Sequence, residues 1–245
     1  MIEIVFLDAG ETILHPHPSF SELFTQVSAG HGIEIPAERV REVQERLAPH
    51  LVDLGEETGV EGPSLSSEGS RRFWTHLYRR LLAELGVTDE ALVEKLYSTF
   101  SHMSSYKLFD DALPAMAELS ERGYRLGLIS NFERWLEEML VELEVGDHFE
   151  VSVISGIEGV EKPDPTLYRV ALERAGVEPG RAVHVGDSPA LDVAPAAAVG
   201  MQTILLDRVD RYPEADGPRI RTLRDLPGAV ERLRAAPEPS LRPGR

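Results

Sequence analysis

Short apolar runs that end in a small polar turn alternate with helical periodicity through most of this chain. The runs cover residues 2–7, 124–129, 149–154, 182–185 and 202–206. A run of this length bounded by turn residues is typical of a buried strand, and the segments between the later runs have the apolar spacing of helices. Alternating strands and helices favour βαβ units, whose right-handed crossovers build a parallel sheet. The sequence therefore predicts an α/β protein with a doubly wound, Rossmann-like parallel sheet.

A long helical segment interrupts the alternation directly after the first strand. From about residue 19 to 106, apolar residues recur three or four positions apart and no strand pattern is convincing. Within it we predict one helix over 38–54 and a loop rich in Gly, Ser and Glu over 55–69. Because the segment lies between the first strand and the other α/β units, we expect residues 16–106 to form an all-helical cap domain inserted into the core.

The inserted cap divides the core into two pieces of sequence. We expect the core domain to comprise residues 1–15 and 107–235, with its last helix near 224–234. Residues 236–245 are rich in proline, and we predict a flexible C-terminal tail there.

Composition and charge limit the classes of partner. The chain of 245 residues has no cysteine, which excludes disulfides, thiolate catalysis and cysteine-ligated zinc. Its formal net charge of −17 argues against nucleic acid and anionic membranes as partners. The chain begins with strand residues rather than a basic and then apolar leader, and no apolar run approaches the roughly 18 residues of a membrane span. We therefore expect a soluble, cytoplasmic protein.

Asp8 is the most informative single residue, because it places a carboxylate at the end of the first apolar run. Ligands of open α/β sheets bind at the carboxyl ends of the strands, and a buried carboxylate needs a metal, a cation or backbone donors. Taken alone, Asp8 fits a cap of the following loop better than a catalytic group. Three other strand-end segments change that interpretation: Ser130-Asn131, Lys162 in the run Glu-Lys-Pro-Asp-Pro, and Gly186-Asp187-Ser188 followed by Asp192. A parallel sheet would bring all of them to one edge.

With these four motifs in this order and spacing, the chain resembles the haloacid dehalogenase (HAD) superfamily of hydrolases. The resemblance covers residues 1 to about 206. The helical segment, just after the first motif, is similar to the family's first class of cap. The first motif is of the Asp-Ala-x-x-Thr type, which most resembles the branch related to rhythmically expressed gene 2 of flies.

The resemblance implies a role for each residue at the sheet edge. Asp8 would be the nucleophile that attacks phosphorus and forms an aspartyl-phosphate, which divides one difficult displacement into two. Lys162 would offset the negative charge of Asp8 and of the transferring phosphoryl group. Ser130, the Asn131 backbone and Thr12 would donate hydrogen bonds to phosphoryl oxygens. The implied substrate is a small phosphorylated metabolite.

The same resemblance implies a Mg²⁺ cofactor. Asp8 and Asp187 would supply the hard oxygen ligands that Mg²⁺ prefers, and the backbone carbonyl of Gly10 would add another. Asp192, one helical turn beyond Asp187, would serve as a further ligand or would orient the others. A plain helix cap is the alternative interpretation of Asp192.

Gly10 is where the chain departs from the phosphatases of the superfamily. Those enzymes carry a second Asp at this position, which protonates the leaving group and then activates the hydrolytic water, and losing such a group typically costs ~10²–10⁴ in rate. Glu11 is adjacent, but successive side chains of an extended segment point in opposite directions. His15 and His17 lie at the hinge to the cap, where an imidazole could reach the leaving group; solvated loop histidines are the plainer interpretation.

Three functions remain open from the sequence. The first is a Mg²⁺-dependent phosphohydrolase, supported by Asp8, Lys162 and Asp187 together. The second is a non-catalytic or very slow phosphometabolite-binding protein that kept the site without its acid. The third is a metal-independent 2-haloacid dehalogenase, whose halide leaves unaided; those enzymes have a similar first motif but lack the Gly-Asp pair that this chain keeps at 186–187. We expect a monomer or a homodimer.

Overall fold

The structure, a computed structural model, describes residues 1–60 and 62–235, so the predicted tail lies outside the described residues. A parallel sheet at its centre comprises β1 (Ile4–Leu7), β4 (Arg125–Ser130), β5 (Val151–Ile154), β6 (Ala182–Gly186), β7 (Gln202–Leu206) and β8 (Arg219–Ile220). The strand order is β5-β4-β1-β6-β7-β8, and every neighbouring pair is parallel. The predicted α/β fold is confirmed.

Helices connect the strands and also form the block that follows the first strand. They are α1 (Phe20–Gly30), α2 (Ala37–Leu47), α3 (Leu51–Thr58), α4 (Ser67–Glu84), α5 (Glu90–Phe100), α6 (Ala112–Glu121), α7 (Leu136–Glu142), α8 (Ser155–Glu158), α9 (Pro165–Ala175), α10 (Ala194–Ala198) and α11 (Leu226–Ala235). Helices α6, α7 and α11 cover one face of the sheet, and α9 and α10 cover the other. The sheet is therefore doubly wound.

The central strand β1 shows why the sheet needs helices on both faces. Successive side chains of a strand point to opposite faces. Val5 and Leu7 accordingly join one apolar cluster, whereas Ile4 and Phe6 join the other, and all four are fully buried. Strand β4 accommodates the aromatic ring beside it with Gly127, where a Cβ atom would lie 2.4 Å from the ring of Phe6. A four-residue apolar run can thus occupy only the centre of the sheet.

Helices α1–α5 form a helical insertion, which we define as residues 17–105. The insertion begins and ends at an antiparallel pair of short strands, β2 (Leu14–Pro16) and β3 (Tyr106–Leu108), which the sequence pattern did not predict. It has its own apolar core, built from side chains between Phe24 and Phe100. Among the described residues, no helix is both long and apolar enough to cross a membrane.

Two local predictions inside the insertion were wrong. The helix predicted over 38–54 ends at Leu47, and α3 begins at Leu51, because Pro49 has no amide hydrogen with which to continue the helical ladder. The loop predicted over 55–69 is shorter, since α3 continues to Thr58 and α4 begins at Ser67. Strand β8, at the edge of the main sheet, was also missed.

Candidate active site

The site lies at the carboxyl edge of the sheet, where β1 ends between its two neighbours. Asp8 follows β1 directly, and its backbone amide donates to the carbonyl of Val185 on β6 at 2.9 Å. Strand β4 ends at Ser130 on one side, and β6 ends at Gly186 on the other. The parallel register therefore brings Asp8, Ser130 and Asp187 to one edge, as the sequence predicts.

Lys162 connects two of the predicted acidic residues. Its ammonium donates to Asp8 Oδ1 and to Asp192 Oδ1, each at 2.6 Å. The three side chains are at most 8% exposed. These ion pairs are short and excluded from solvent. They are stabilising only because each charge has a partner, since a lone buried charge would have a large desolvation free energy.

Asn131 holds the backbone of Lys162 from both sides. Its side-chain amide donates to the Lys162 carbonyl at 2.9 Å, and its Oδ1 accepts from the Lys162 amide at 2.6 Å. The residue pair closes a loop between segments 31 positions apart. The sequence predicted only a backbone role for Asn131, so this side-chain role was missed.

Asp192 is the most heavily hydrogen-bonded carboxylate of the site. Besides Lys162, it accepts from His184 Nε2 at 3.0 Å and from the Ser188 amide at 3.0 Å. It packs so closely against β6 that a Cβ atom at Gly186 would lie 2.2 Å from its Cγ. Glycine at 186 is therefore required by this close approach. The arrangement fits the orienting role better than a simple helix cap.

Three carboxylates meet at this point. One oxygen from each of Asp8, Asp187 and Asp192 lies within 4.8 Å of the others. With the ammonium of Lys162, the cluster carries a net charge of minus two when all groups are ionised. Hard oxygen donors with two uncompensated negative charges fit a divalent cation such as Mg²⁺. No fourth acidic or imidazole ligand joins them in the part of the chain that the structure describes.

The pKa values of the cluster reflect this shortage of positive charge. Burial raises the pKa of Asp8, and Lys162 only partly offsets the effect. Burial and the charges of Asp192 and Asp8 raise the pKa of Asp187 well above its usual value. Burial alone would also raise the pKa of Asp192, but Lys162 and His184 hold it well below its usual range. A single ammonium thus favours the ionised form of Asp192 most strongly, and a bound cation would also favour the ionised forms of Asp8 and Asp187.

The ammonium itself stays charged. Burial alone would lower the pKa of Lys162, but Asp192 and Asp8 raise it above its usual value. Lys162 is therefore a fixed positive charge rather than a proton donor at neutral pH.

The turn after Asp8 contains the residue that departs from the family pattern. Gly10 pairs with Leu14 in an isolated bridge, and a Cβ atom at Gly10 would meet nothing within 4 Å. Glu11 has a φ of 55°, which turns its side chain into the cavity above the site. The enclosed position of Glu11 in the cavity raises its pKa, although its side chain is accessible to solvent and the nearby Arg211 and Arg208 oppose the shift. The expected opposite orientation of neighbouring side chains does not hold here, because the backbone is left-handed rather than extended.

Three residues that the sequence suggested for the site, as a phosphoryl donor or as possible acids, do not border the cavity. Thr12 is fully buried, and its hydroxyl has no hydrogen-bond partner among the described residues. His15 bonds to the Pro16 carbonyl at 2.7 Å and packs against Phe109, with ring centroids 4.3 Å apart. His17 is exposed. The phosphoryl-binding role of Thr12 stays a prediction. The plainer interpretation as a solvated loop histidine agrees with the position of His17, but not with that of His15, which lies on strand β2 and is half-buried.

The site opens into a cavity of about 950 Å³ between the sheet edge and the helical insertion. Ser130, Asn131, Lys162 and Asp187 all border it. The segment 207–212, which follows β7, also contributes and was missed. The sequence did predict that β7 ends at residue 206. Because ligands bind at the carboxyl ends of the strands, the residues that follow this strand could have been included among the site candidates.

Arg208 anchors the 207–212 segment to the hinge. Its guanidinium forms a two-pronged ion pair with Asp111, both distances being 2.9 Å, and it donates to the Thr12 carbonyl at 2.8 Å. It also lies 3.8 Å from the ring centroid of Phe109. Asp111 in turn accepts from the side chain of Thr222 at 2.6 Å. The cavity wall is thereby tied to α6.

The helical insertion contacts the core beside the site. The Ser64 amide donates to Glu161 at 3.0 Å, and the Ser64 hydroxyl bonds to Glu161 and, at 2.6 Å, to Ser155. The approach is close, because a Cβ atom at Gly156 would lie 2.8 Å from the Ser64 carbonyl oxygen. Since Glu161 immediately precedes Lys162, the insertion closes over the ion pair rather than elsewhere.

Comparison with known proteins gives consistent similarities. The family model described as haloacid dehalogenase-like hydrolase matches residues 2–200. The human haloacid dehalogenase-like hydrolase domain-containing protein 3 is 30% identical over 213 residues, which cover 84% of this chain and 82% of that protein. A phosphoserine phosphatase of Thermus thermophilus is 30% identical over 243 residues, which cover 92% of this chain and 98% of that protein. The crystal structure of a HAD phosphatase from Thermococcus onnurineus has a TM-score of 0.58 at 24% identity, and the match covers 94% of this chain and 98% of that one. This similarity supports the fold.

Proposed function

The chain belongs to the haloacid dehalogenase-like hydrolases, and on that premise we propose that it is a Mg²⁺-dependent phosphohydrolase of a small phosphate ester. The observation that carries the proposal is the cluster of the buried Asp8, Lys162 and Asp192 with the half-buried Asp187, whose net charge is minus two when all groups are ionised. A phosphatase among the relatives, the phosphoserine phosphatase, supports the reaction class. Phosphoryl transfer depends mainly on positioning and charge neutralisation, which this cluster provides.

Asp8 is the nucleophile of the proposed reaction. One of its oxygens forms a bond to phosphorus while the bond from phosphorus to the ester oxygen breaks, which leaves an aspartyl-phosphate and an alkoxide. Lys162 holds the carboxylate in place at 2.6 Å and offsets charge on the transferring group. A water molecule then attacks phosphorus and releases inorganic phosphate, which restores Asp8.

The remaining residues bind and orient. Ser130, whose hydroxyl makes no hydrogen bond within the described residues and borders the cavity, is suited to donate to a phosphoryl oxygen. Asp8, Asp187 and the Gly10 carbonyl would hold Mg²⁺, and Asp192 would position Lys162. When bound, Mg²⁺ supplies positive charge to the phosphoryl oxygens. The helical insertion would act as the cap that excludes water from the site.

Proton transfer to the leaving group is the weak step of this mechanism. Gly10 offers no acid, and Glu11 is the nearest carboxyl group in the same turn that borders the cavity. We therefore expect turnover to be slow for poor leaving groups and faster for leaving groups that need no proton. Gly10 also supports a second candidate, a phosphometabolite-binding protein with little or no turnover.

Substitution of the acidic residues tests the proposal. With p-nitrophenyl phosphate in excess Mg²⁺, Asp8→Asn and Asp187→Ala should each abolish the Mg²⁺-dependent release of phosphate. The matched control is Asp147→Ala, because Asp147 is exposed and does not border the cavity. Unchanged turnover in Asp187→Ala would contradict the metal-assisted mechanism. Binding of beryllium fluoride at Asp8 without any turnover of the wild type would favour the second candidate.

Gly10 also motivates the dehalogenase alternative, which the acidic cluster disfavours. Metal-independent displacement of a halide does not require a second carboxylate beside Asp8. In this chain, however, Asp187 lies close enough to Asp8 for both to bind one metal ion. Chloride release from 2-chloropropionate in the presence of EDTA would establish the dehalogenase instead. We expect none.

A further inference from the structure

The wall of the cavity is chemically divided. Among the described residues, every charged side chain that borders it comes from the core, including Asp8, Glu11, Lys162 and Arg211. Among the side chains of the helical insertion that the structure describes, none that borders the cavity carries a charge. Because 27% of all residues in the chain are Asp, Glu, Lys or Arg, an uncharged wall of this extent is not the average surface of this protein.

Aromatic and aliphatic side chains make up most of that wall. Phe73 and Trp74 are in edge-to-face contact, with ring centroids 5.2 Å apart, and Phe20 stacks on Phe100 at 4.9 Å. Leu77 borders the cavity beside them. Trp74 is 37% exposed, although a large apolar ring is normally covered in a folded protein. Trp74 and the half-buried Phe20 are therefore the most accessible rings of this wall, since Phe73, Leu77 and Phe100 are at most 6% exposed.

We propose that the insertion wall binds the organic group of the substrate, and that this group is uncharged and apolar, such as an aryl or alkyl chain. This inference rests on the proposed function, since the charged floor of the cavity would hold the phosphoryl group. A carboxylate or ammonium placed against the aromatic part of the wall would lose its hydration without gaining an oppositely charged partner among the described residues of the insertion. A methylene group placed there would gain from being removed from water.

The volume of the cavity permits a group of this kind. Pockets of roughly 300–1,000 Å³ accommodate ligands of drug size. At about 950 Å³, this cavity has room for a phosphoryl group together with an aryl ring or a chain of several carbons. Together with the absence of charge from the described side chains of the insertion wall, this volume favours phosphate monoesters of apolar alcohols over phosphorylated amino acids or polyols.

A homologous series of ligands tests this inference without depending on turnover. The dissociation constants of ethyl-, butyl- and hexylphosphonate, which cannot be hydrolysed, are measured by calorimetry in excess Mg²⁺. Each added methylene that enters the wall should tighten binding about three- to fourfold. Hydrolysis of ethyl, butyl and hexyl phosphate is measured in parallel, because these leaving groups share nearly the same intrinsic reactivity. Phosphoserine is the polar comparison, and it should be bound and hydrolysed less well than butyl phosphate.

Substitutions in the wall identify where the chain binds. Trp74→Ala should reduce the gain per methylene, and Trp74→Phe should restore most of it. Val141→Ala is the control, because Val141 is 71% exposed on α7 and does not border the cavity. Circular dichroism of each variant separates loss of the wall from loss of the fold.

The outcomes distinguish this inference from the proposed function. Affinity that is flat or falls with chain length, or preference for phosphoserine, would overturn the apolar substrate class while leaving phosphohydrolysis intact. A gradient of affinity without hydrolysis of any ester, p-nitrophenyl phosphate included, would overturn the proposed enzyme and retain the apolar wall as the ligand-binding surface. A gradient in both assays, reduced by Trp74→Ala, is the result that we expect.

Discussion

Restoring an acid at position 10 is the sharpest test of how this site works. The position can accept a side chain, because a Cβ atom at Gly10 meets nothing within 4 Å and the backbone there is not left-handed. Gly10→Asp keeps the backbone carbonyl that we assign to Mg²⁺. The new carboxyl group would start two residues from Asp8, on the same turn as the site. We therefore expect the fold to be preserved and only the proton-transfer step to change.

The magnitude follows from what a general acid contributes. A well-placed acid–base group typically accelerates a reaction by ~10²–10⁴. With benzyl phosphate, whose alkoxide needs a proton, kcat/KM of Gly10→Asp should exceed the wild-type value by roughly that factor. With p-nitrophenyl phosphate the gain should be much smaller, because p-nitrophenolate leaves without a proton. The wild type should accordingly show a steeper dependence of rate on leaving-group basicity than the variant.

Gly10→Asn is the matched control, since it adds nearly the same volume without an acid. If Gly10→Asn and Gly10→Asp hydrolyse benzyl phosphate equally, the acid is not what the site lacks. Asp8→Asn in the Gly10→Asp background should remove the new activity, which shows that it passes through the same nucleophile. Activity that survives this double substitution would refute the assignment of Asp8.

Three further predictions concern charge and positioning in the same region. Asp111→Asn should destabilise the protein at pH 7 by roughly 2 kcal/mol in urea unfolding, because hydrogen bonds outweigh burial and hold the pKa of Asp111 at about 2, below its unfolded value of 3.8. Since the folded-state pKa is lowered, this stabilisation is present above about pH 4 and is lost as the pH falls through 2. The difference in unfolding free energy between variant and wild type should therefore shrink at low pH. A difference that stays constant with pH would contradict the ion-pair explanation. Mg²⁺ affinity should increase as the pH rises, because burial raises the pKa of Asp8 and Asp187 in the metal-free protein. For the same reason, calorimetry should show that Mg²⁺ binding releases protons. A Mg²⁺ affinity that does not depend on pH would argue against these two ligands. Asn131→Ala should lower kcat roughly ten- to a hundredfold with little change in KM, because the Lys162 backbone loses both of its hydrogen bonds to that side chain; an unaltered kcat would show that Lys162 is held by other contacts.

Much of the site could be predicted because its residues follow strands that have strong local signals. The apolar run before Asp8 occupies the centre of the sheet, and Gly186-Asp187 ends a neighbouring strand. Once the strands are parallel, their carboxyl ends coincide, so the meeting of Asp8 with Asp187 needs no further information. The HAD motifs strengthened this prediction, since they depend on the same order of strands.

Other parts of the site depend on packing between distant segments, which periodicity does not report. The bond of Asn131 to Lys162 requires a turn of particular shape on each of two loops. The ion pair of Arg208 with Asp111 joins residues 97 positions apart. The direction of Glu11 follows from a left-handed backbone, which the sequence pattern of an extended segment contradicted.

The sequence by itself determined the fold class, the edge of the sheet at which the candidate site lies, and the absence of a carboxyl group at Gly10. These properties follow from local burial patterns and from residue identity, which act over a few neighbouring positions. Only the tertiary structure decided that Lys162 pairs with two of the three clustered carboxylates, and that the described side chains of the insertion that face them carry no charge. Both depend on how the helical insertion and the sheet edge pack together, because electrostatic balance and cavity shape are properties of side chains brought together from across the whole chain.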